Sequence, residues 1–142
     1  MPLISVITVN YNNSQVTEEL LESIPRNNST YQLEIIVVDN GSAIDPVPHW
    51  ITKYPDVRFI RSDTNLGFSK GNNLGIKESS GDFIFLVNND TVFTDSLIPE
   101  LLAVFNQNKQ VGIASPLIYY YSKEKVIQYA GFTEMNYFTA RN

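Results

Sequence analysis

At 142 residues, 43% hydrophobic and 12% aromatic, the chain has the length of one ordinary domain and enough apolar material for a packed core. It has no cysteine and a single histidine, His49; disulfides, thiol chemistry and Cys-ligated metals are excluded, and a His-based metal site or triad is disfavoured. A formal net charge of −5 supplies no basic field for a nucleic-acid backbone, so an anionic small ligand must be held by amides, a helix N-terminus or a metal cation.

The first strand is predicted at 3–10, LISVITVN, a continuous β-branched run suited to burial on both faces of a parallel sheet. A helix follows at 14–24, with Val16, Leu20 and Ile24 four apart on one face and Ser14 as its N-cap. LEIIVVDN at 33–40 reads as a second buried strand, DPVPHWITKY at 45–54 as a short Pro-led helix, and VRFIRS at 57–62 as a third strand. The stretch after it opens as a loop and becomes helical toward Ile76. A fourth strand is expected at 82–88, then a helix at 96–108 with Ser96 as N-cap and Pro99 in the first turn, where its missing N–H is not needed. A further strand region is expected at 111–121. No apolar run approaches the ~20 residues of a membrane span, and the N-terminus lacks signal-peptide features, so a cytoplasmic protein is expected, attached at most peripherally to the inner face of the membrane.

Alternating strands and helices predict one α/β domain over 1–142: a mainly parallel, open, Rossmann-like sheet with helices on both faces. Ligands of such sheets bind beyond the carboxyl ends of the strands. Here those ends are polar: 10–13, 39–42, 62–68 and 88–91. Asp39 in VVDNGS has two readings, a turn closed by Gly41 or a carboxylate accepting a ligand N–H such as the imide of uracil or thymine. Tyr11 is either a rim aromatic or a flat surface for a pyrimidine ring. Gly71 and Gly75, four apart in a helix, each cost about 1 kcal/mol relative to alanine, which close helix-to-sheet packing or close ligand approach would offset. Asp90, ending LVNND, either caps its own turn or bridges to a diphosphate through magnesium or manganese.

Taken in order, SVITVNYNN, IIVVDNGS, NLGFSKGNNLGI and GDFIFLVNND resemble the inverting, nucleotide-sugar-dependent glycosyltransferases of the GT-A fold, family 2, and cover nearly the whole chain. The resemblance implies that Thr8, Asn10 and Tyr11 line a nucleobase pocket, that Asp39, with Asn40 beside it, accepts from the base imide, and that Asn65, Gly67 and Gly71 lie beside base and ribose. NND stands where the family has its Asp-X-Asp motif, which implies Asp90 as the ligand of a magnesium or manganese ion and Asn88 and Asn89 as neighbours of the donor. Asn88 departs from the pattern, since its position is often acidic. The variant is similar to the branch containing rhamnosyltransferases and other bacterial cell-surface polysaccharide enzymes, as is IQYAGF at 127–132.

The implied activity is transfer of a sugar from a UDP- or dTDP-sugar to a saccharide or lipid-linked acceptor with inversion; the alternative is a non-catalytic nucleotide-sugar binding module. No catalytic base is identified. The family's base is an Asp or Glu well beyond the Asp-X-Asp motif, only about fifty residues follow Asp90, and Glu134 lacks the expected context. The base is therefore expected beyond Asn142, with this chain as the donor-binding part. A dinucleotide-binding reading fails for want of Gly-X-Gly-X-X-Gly after the first strand, where NYNNSQ stands. A phospho-acceptor receiver fails too, for want of an acidic pair at 10–13.

Overall fold

A computed structural model describes residues 1–25, 30–122 and 126–131. The chain divides into two compact units, Met1–Phe93 and Thr94–Asn142. The first carries β1 (Leu3–Asn10), α1 (Ser14–Ser23), β2 (Gln32–Asp39), α2 (Val47–Lys53), β3 (Val57–Arg61), α3 (Phe68–Lys77) and β4 (Phe83–Leu86). Its four strands are all parallel in the order β3-β2-β1-β4.

The two central strands explain themselves. Ile4, Val6 and Ile7 of β1 and Ile35, Ile36, Val37 and Val38 of β2 are all buried, each side chain contributing about 1.5–3 kcal/mol on leaving water. On one face Ile7, Ile36 and Val38 form a cluster with Val9, Ile60, Leu74 and Ile76, under α3. On the other, Trp50 of α2 stacks on Phe59 of β3 with ring centroids 5.4 Å apart and donates its indole N–H to Glu18 of α1 at 3.0 Å. Residues 59 and 60 point to opposite faces of a strand, so α1 and α2 cover one side and α3 the other, as the alternating pattern predicted.

Three boundaries differ from expectation for identifiable reasons. Helix α3 begins at Phe68, directly after Gly67, whose φ of 81° ends the preceding loop. It tolerates two interior glycines because they let it sit on the sheet: a Cβ on Gly75 would lie 2.4 Å from Cγ2 of Ile7, and one on Gly71 would lie 3.0 Å from Cγ1 of Val9. Strand β4 is shorter than expected, because Asp82 turns its carboxylate to the Leu3 N–H at 2.9 Å and the last sheet bond runs from Val87 N–H to the Ile7 carbonyl at 3.0 Å. In the second unit, after α4 (Leu97–Gln107), only β5 (Ile118–Tyr119) of the strand region at 111–121 pairs, antiparallel to β6 (Ile127–Tyr129). Pro116 just before it has no N–H to give a ladder. Neither expected serine cap makes a side-chain bond: Asn13 takes the cap position of α1, and Ser96 that of α4.

At the amino ends of the strands Glu34 closes the molecule from below. Its carboxylate accepts from Ser5 Oγ at 2.5 Å, Ser80 N–H at 2.9 Å and Ser80 Oγ at 2.9 Å, clasping the α3–β4 turn to β1 and β2. Burial pushes the Glu34 carboxyl up, but the bonds from Ser5 and Ser80, helped by Arg58, outweigh it and hold the group below its ordinary value of 4.5. A carboxyl lowered on folding adds stability that is complete above its unfolded pKa and is lost as pH falls through the folded one. Glu34→Gln is therefore expected to lose about 1–2 kcal/mol at neutral pH, the worth of hydrogen bonds to a charged group, and urea titrations should show the gap closing once pH drops below 4.5.

Candidate functional site

The carboxyl ends of three strands meet in register, Asn10 beside Asp39 and Asp39 beside Arg61. Asp39 is 0% exposed, and a buried carboxylate is tolerated only when paired and hydrogen-bonded. Its Oδ1 accepts from Asn10 Nδ2 at 2.8 Å and Ser42 Oγ at 2.5 Å, and its Oδ2 from Ser42 N–H at 3.2 Å and from the Arg61 guanidinium. Four donors occupy the roughly four lone-pair sites a carboxylate has. The turn reading of Asp39 is therefore seen directly, closed through Ser42, and a further donor would have to displace one of the four. Arg61, an exposed residue also bonded to the Ser42 carbonyl at 2.9 Å and paired with Asp45 at 3.4 Å, is the donor on the solvent side.

From Asp39 the polar chain continues inward. Asn10 Oδ1 accepts from Thr17 Oγ1 at 3.0 Å, and Thr17 Oγ1 in turn accepts from Asn89 Nδ2 at 2.9 Å. Side chains of β3, β2, β1, α1 and the turn after β4 are therefore linked in one line: Arg61, Asp39, Asn10, Thr17, Asn89. Asn10 is wholly buried and supports the site from beneath. Tyr11, the next residue, is 49% exposed and offers its ring at the rim.

A second node ties the neighbouring loop. Asn40 accepts from Leu66 N–H at 2.9 Å and donates to Asn65 Oδ1 at 3.0 Å and the Gly67 carbonyl at 3.3 Å, while Asn65 Oδ1 also accepts from Gly67 N–H at 2.8 Å. Gly41 has to be glycine twice over, with a φ of 77° and with the backbone of Thr64 2.5 Å from where a Cβ would stand. Asn12, at φ 55°, accepts from Ala43 N–H at 2.8 Å. The loops after β1, β2 and β3 thus hold one another. Of the two readings of Gly71, the close approach observed is that of helix to sheet, with Val9 and the Asn40 amide beneath it.

Thr8 is 1% exposed and its hydroxyl has no hydrogen-bond partner. It lies beneath the rim formed by the loops after β1 and β2. A buried polar group left unpaired costs about 1–3 kcal/mol. Thr8→Val, which keeps the shape, is expected to raise the melting temperature by a few degrees; thermal unfolding that shows a fall instead would mean the hydroxyl is paired.

Beyond β4 the turn at 88–91 is closed by Thr91 Oγ1 on the Asn88 carbonyl at 2.8 Å, leaving Asn88 and Asp90 exposed and Asn89 turned inward. Among the described residues no three His, Cys, Asp or Glu side chains gather as a metal cage. What Asp90 offers is one hard oxygen donor, which fits magnesium or manganese completed by phosphate oxygens and water. Asp95 and Glu100 lie in the second unit, and Glu134 lies outside the described residues.

A parallel α/β sheet whose carboxyl edge gathers an aromatic, a buried aspartate paired with an arginine and an exposed carboxylate has its ligand crevice at that edge. Residues 5–142 match Glycosyl transferase family 2, and the chain belongs to that family. An uncharacterized glycosyltransferase of Haemophilus influenzae is 30% identical over 131 residues, 92% of this chain and 42% of its own. An N-acetylglucosaminyltransferase of Bradyrhizobium elkanii is 32% identical over 119 residues, 80% of this chain and 65% of its own. The chain therefore spans less than two thirds of either relative. The crystal structure of S. aureus TarS 1–349 in complex with UDP-GlcNAc superposes with a TM-score of 0.62 at 25% identity, over 75% of this chain and 32% of that one. The mannosyltransferase PcManGT from Pyrobaculum calidifontis, in complex with GDP-Man and Mn2+, shares the fold, with a TM-score of 0.62 at 22% identity over 73% and 32% of the two chains.

Arg61, Ser42 and Thr17 were not singled out in the sequence. Arg61 carries the one visible signal, a charge at the end of the face that Val57 and Phe59 make apolar.

Proposed function

We propose that residues 1–93 bind the nucleotide diphosphate of a UDP- or dTDP-sugar, and that the protein transfers the sugar, with inversion, to a hydroxyl of a saccharide or lipid-linked acceptor in bacterial cell-surface polysaccharide synthesis. The observation that carries this reading is the single hydrogen-bonded line from Arg61 to Asn89, which joins a base-recognising pole to the turn bearing Asp90. The TarS complex with UDP-GlcNAc and the PcManGT complex with GDP-Man and Mn2+ support it by fold and relationship. The work is cytoplasmic, or peripheral at the inner face of the membrane.

Tyr11 stacks on the base, a contact worth ~1–3 kcal/mol in nucleic-acid complexes. The base imide N–H takes the place of Arg61 on Asp39, and the freed guanidinium turns to the base carbonyls. Asn65 and Gly67 lie beside the ribose, and Asn88 and Asp90 face the diphosphate and sugar. Asp90 would hold a magnesium or manganese ion, which would supply positive charge to the diphosphate as it leaves. The acceptor oxygen bonds to the anomeric carbon from the face opposite the nucleotide, the bond from that carbon to the diphosphate oxygen breaks, and a carboxylate base takes the acceptor proton. No described residue is assigned that base.

Calorimetric titration with UDP and dTDP, with and without manganese, tests the reading. One of the two nucleotides is expected to bind, and more tightly with the metal; no binding of either would overturn it. Binding without sugar transfer to any acceptor would favour a non-catalytic binding module.

A further inference from the structure

We propose that Thr17 is a positioning residue of the donor site: its hydroxyl is the joint that holds the turn bearing Asp90 in register with the base-recognising pole at Asp39. The proposal rests on the nucleotide-diphosphate reading of residues 1–93 and adds to it a residue on α1, outside every loop of the rim.

The sheet itself does not place Asp90. Its last bond to β4 is Val87 N–H to the Ile7 carbonyl, and Asp90 lies three residues further on. The next tether is Asn89 Nδ2 to Thr17 Oγ1 at 2.9 Å, joining positions 72 apart in sequence. A hydroxyl has one proton to donate and two lone pairs. Thr17 spends its proton on Asn10 Oδ1 at 3.0 Å, with the Asn13 carbonyl a longer competitor at 3.3 Å, and takes the Asn89 amide as acceptor. Because Thr17 is 0% exposed, no water replaces either bond.

Helix α1 makes a rigid mount for this joint. Glu18 accepts from Trp50 Nε1 at 3.0 Å and Lys53 Nζ at 2.6 Å, pinning α1 to α2. Ser23 Oγ accepts from Phe93 N–H at 3.0 Å, and the Phe85 and Phe93 rings pack with centroids 5.4 Å apart. The segment after β4 is thus held to α1 at Thr17 and again at Ser23.

Losing the hydroxyl acts unequally on the two sides. Asn10 Oδ1 loses its donor, at a cost in stability, but Asn10 keeps both its donor bonds, to Asp39 and to Ser42 at 3.1 Å, which hold the base pole in place. Asn89, half-exposed, turns its amide to water and releases the turn. The two poles then no longer present base contact and cation contact at one fixed reach. The quantity that reads this is the factor by which manganese tightens UDP binding, which by linkage equals the factor by which UDP tightens manganese binding.

The experiment measures UDP affinity with and without manganese, together with thermal unfolding, for the wild type, Thr17→Val and Thr17→Ser. Thr17→Val is expected to keep metal-free UDP affinity within about threefold while its manganese factor falls about fivefold or more, the lower end of ordinary coupling strengths. Thr17→Ser, which restores the oxygen, is expected to restore the factor; a purely structural role would change the melting temperature and leave the factor alone. Should Thr17→Val fail to fold, Asn89→Ala cuts the same joint from its half-exposed side and is expected to lose the same factor. A wild-type factor that the folded severed variant preserves, or one that Thr17→Ser does not restore, overturns the proposal and leaves the donor reading standing. A wild type that binds UDP with no manganese factor overturns the metal reading and this proposal with it.

Discussion

Asp39→Ala is expected to lower stability by about 3 kcal/mol or more, since it takes the acceptor from three buried donors at about 1 kcal/mol or more each, and so to unfold part of the population before it reports on any ligand. The carboxylate is wholly buried and receives Asn10, Ser42 twice and Arg61. Against a total stability of about 5–15 kcal/mol, losing it takes the acceptor from three buried donors, Asn10 Nδ2, Ser42 Oγ and Ser42 N–H, while Arg61 keeps the Ser42 carbonyl and Asp45. Asparagine is no milder, because its amide would turn one N–H2 toward other donors. Urea unfolding should show the midpoint falling with the slope unchanged; a variant as stable as the wild type would mean the four bonds contribute nothing. For that reason the base-contact role is better tested from the ligand. UDP methylated at N3 of uracil lacks the imide proton, and it is expected to bind wild-type protein about tenfold or more weakly, because it leaves Asp39 and Arg61 their existing pairing and adds a methyl where a proton should enter. Equal affinity of the two nucleotides would sink the contact between Asp39 and the base without any mutant being made.

How far the site could be read beforehand follows from how local its interactions are. β1 and β2 were legible because continuous β-branched runs admit one reading, and their polar ends marked the rim. The DNGS turn was legible because its bond from Ser42 N–H to Asp39 spans three residues. Arg61 was not, since it meets Asp39 across 22 residues through a strand register that no periodicity states. Thr17 was missed for another reason. The apolar pattern of α1 put Val16, Leu20 and Ile24 on its inner face, but the buried stripe is Thr17, Leu20, Leu21 and Ile24, rotated by one residue. A threonine counts as polar in such a pattern, and only its distant partners Asn10 and Asn89 show why it is inside. The glycines of α3 posed the reverse problem: composition flagged them as costly, and the nearness of Ile7 and Val9 supplies the sheet-packing reason for them.

Asp90→Ala should leave the fold intact and remove the metal-dependent part of UDP affinity. Asp90 is exposed, and the turn around it is closed by Thr91 on the Asn88 carbonyl and by Asn89 on Thr17, bonds that the substitution leaves in place; its melting temperature should therefore stay close to that of the wild type. Binding is another matter. The protein carries a net charge of −5, so a diphosphate gains nothing from the general field and depends on a local cation. With Asn88 neutral, Asp90 is the one carboxylate of the motif, and no cluster of acidic or histidine side chains among the described residues stands ready to replace it. Its loss is expected to weaken UDP binding about tenfold or more in the presence of manganese, roughly 1.4 kcal/mol per tenfold, and to leave metal-free affinity unchanged or slightly improved, since a negative charge facing the diphosphate has gone. Titrations at two manganese concentrations separate these terms. A manganese factor that survives Asp90→Ala would move the cation to other ligands, whereas a loss of metal-free binding as large as the metal-dependent loss would make Asp90 a direct contact of the nucleotide instead of a metal ligand.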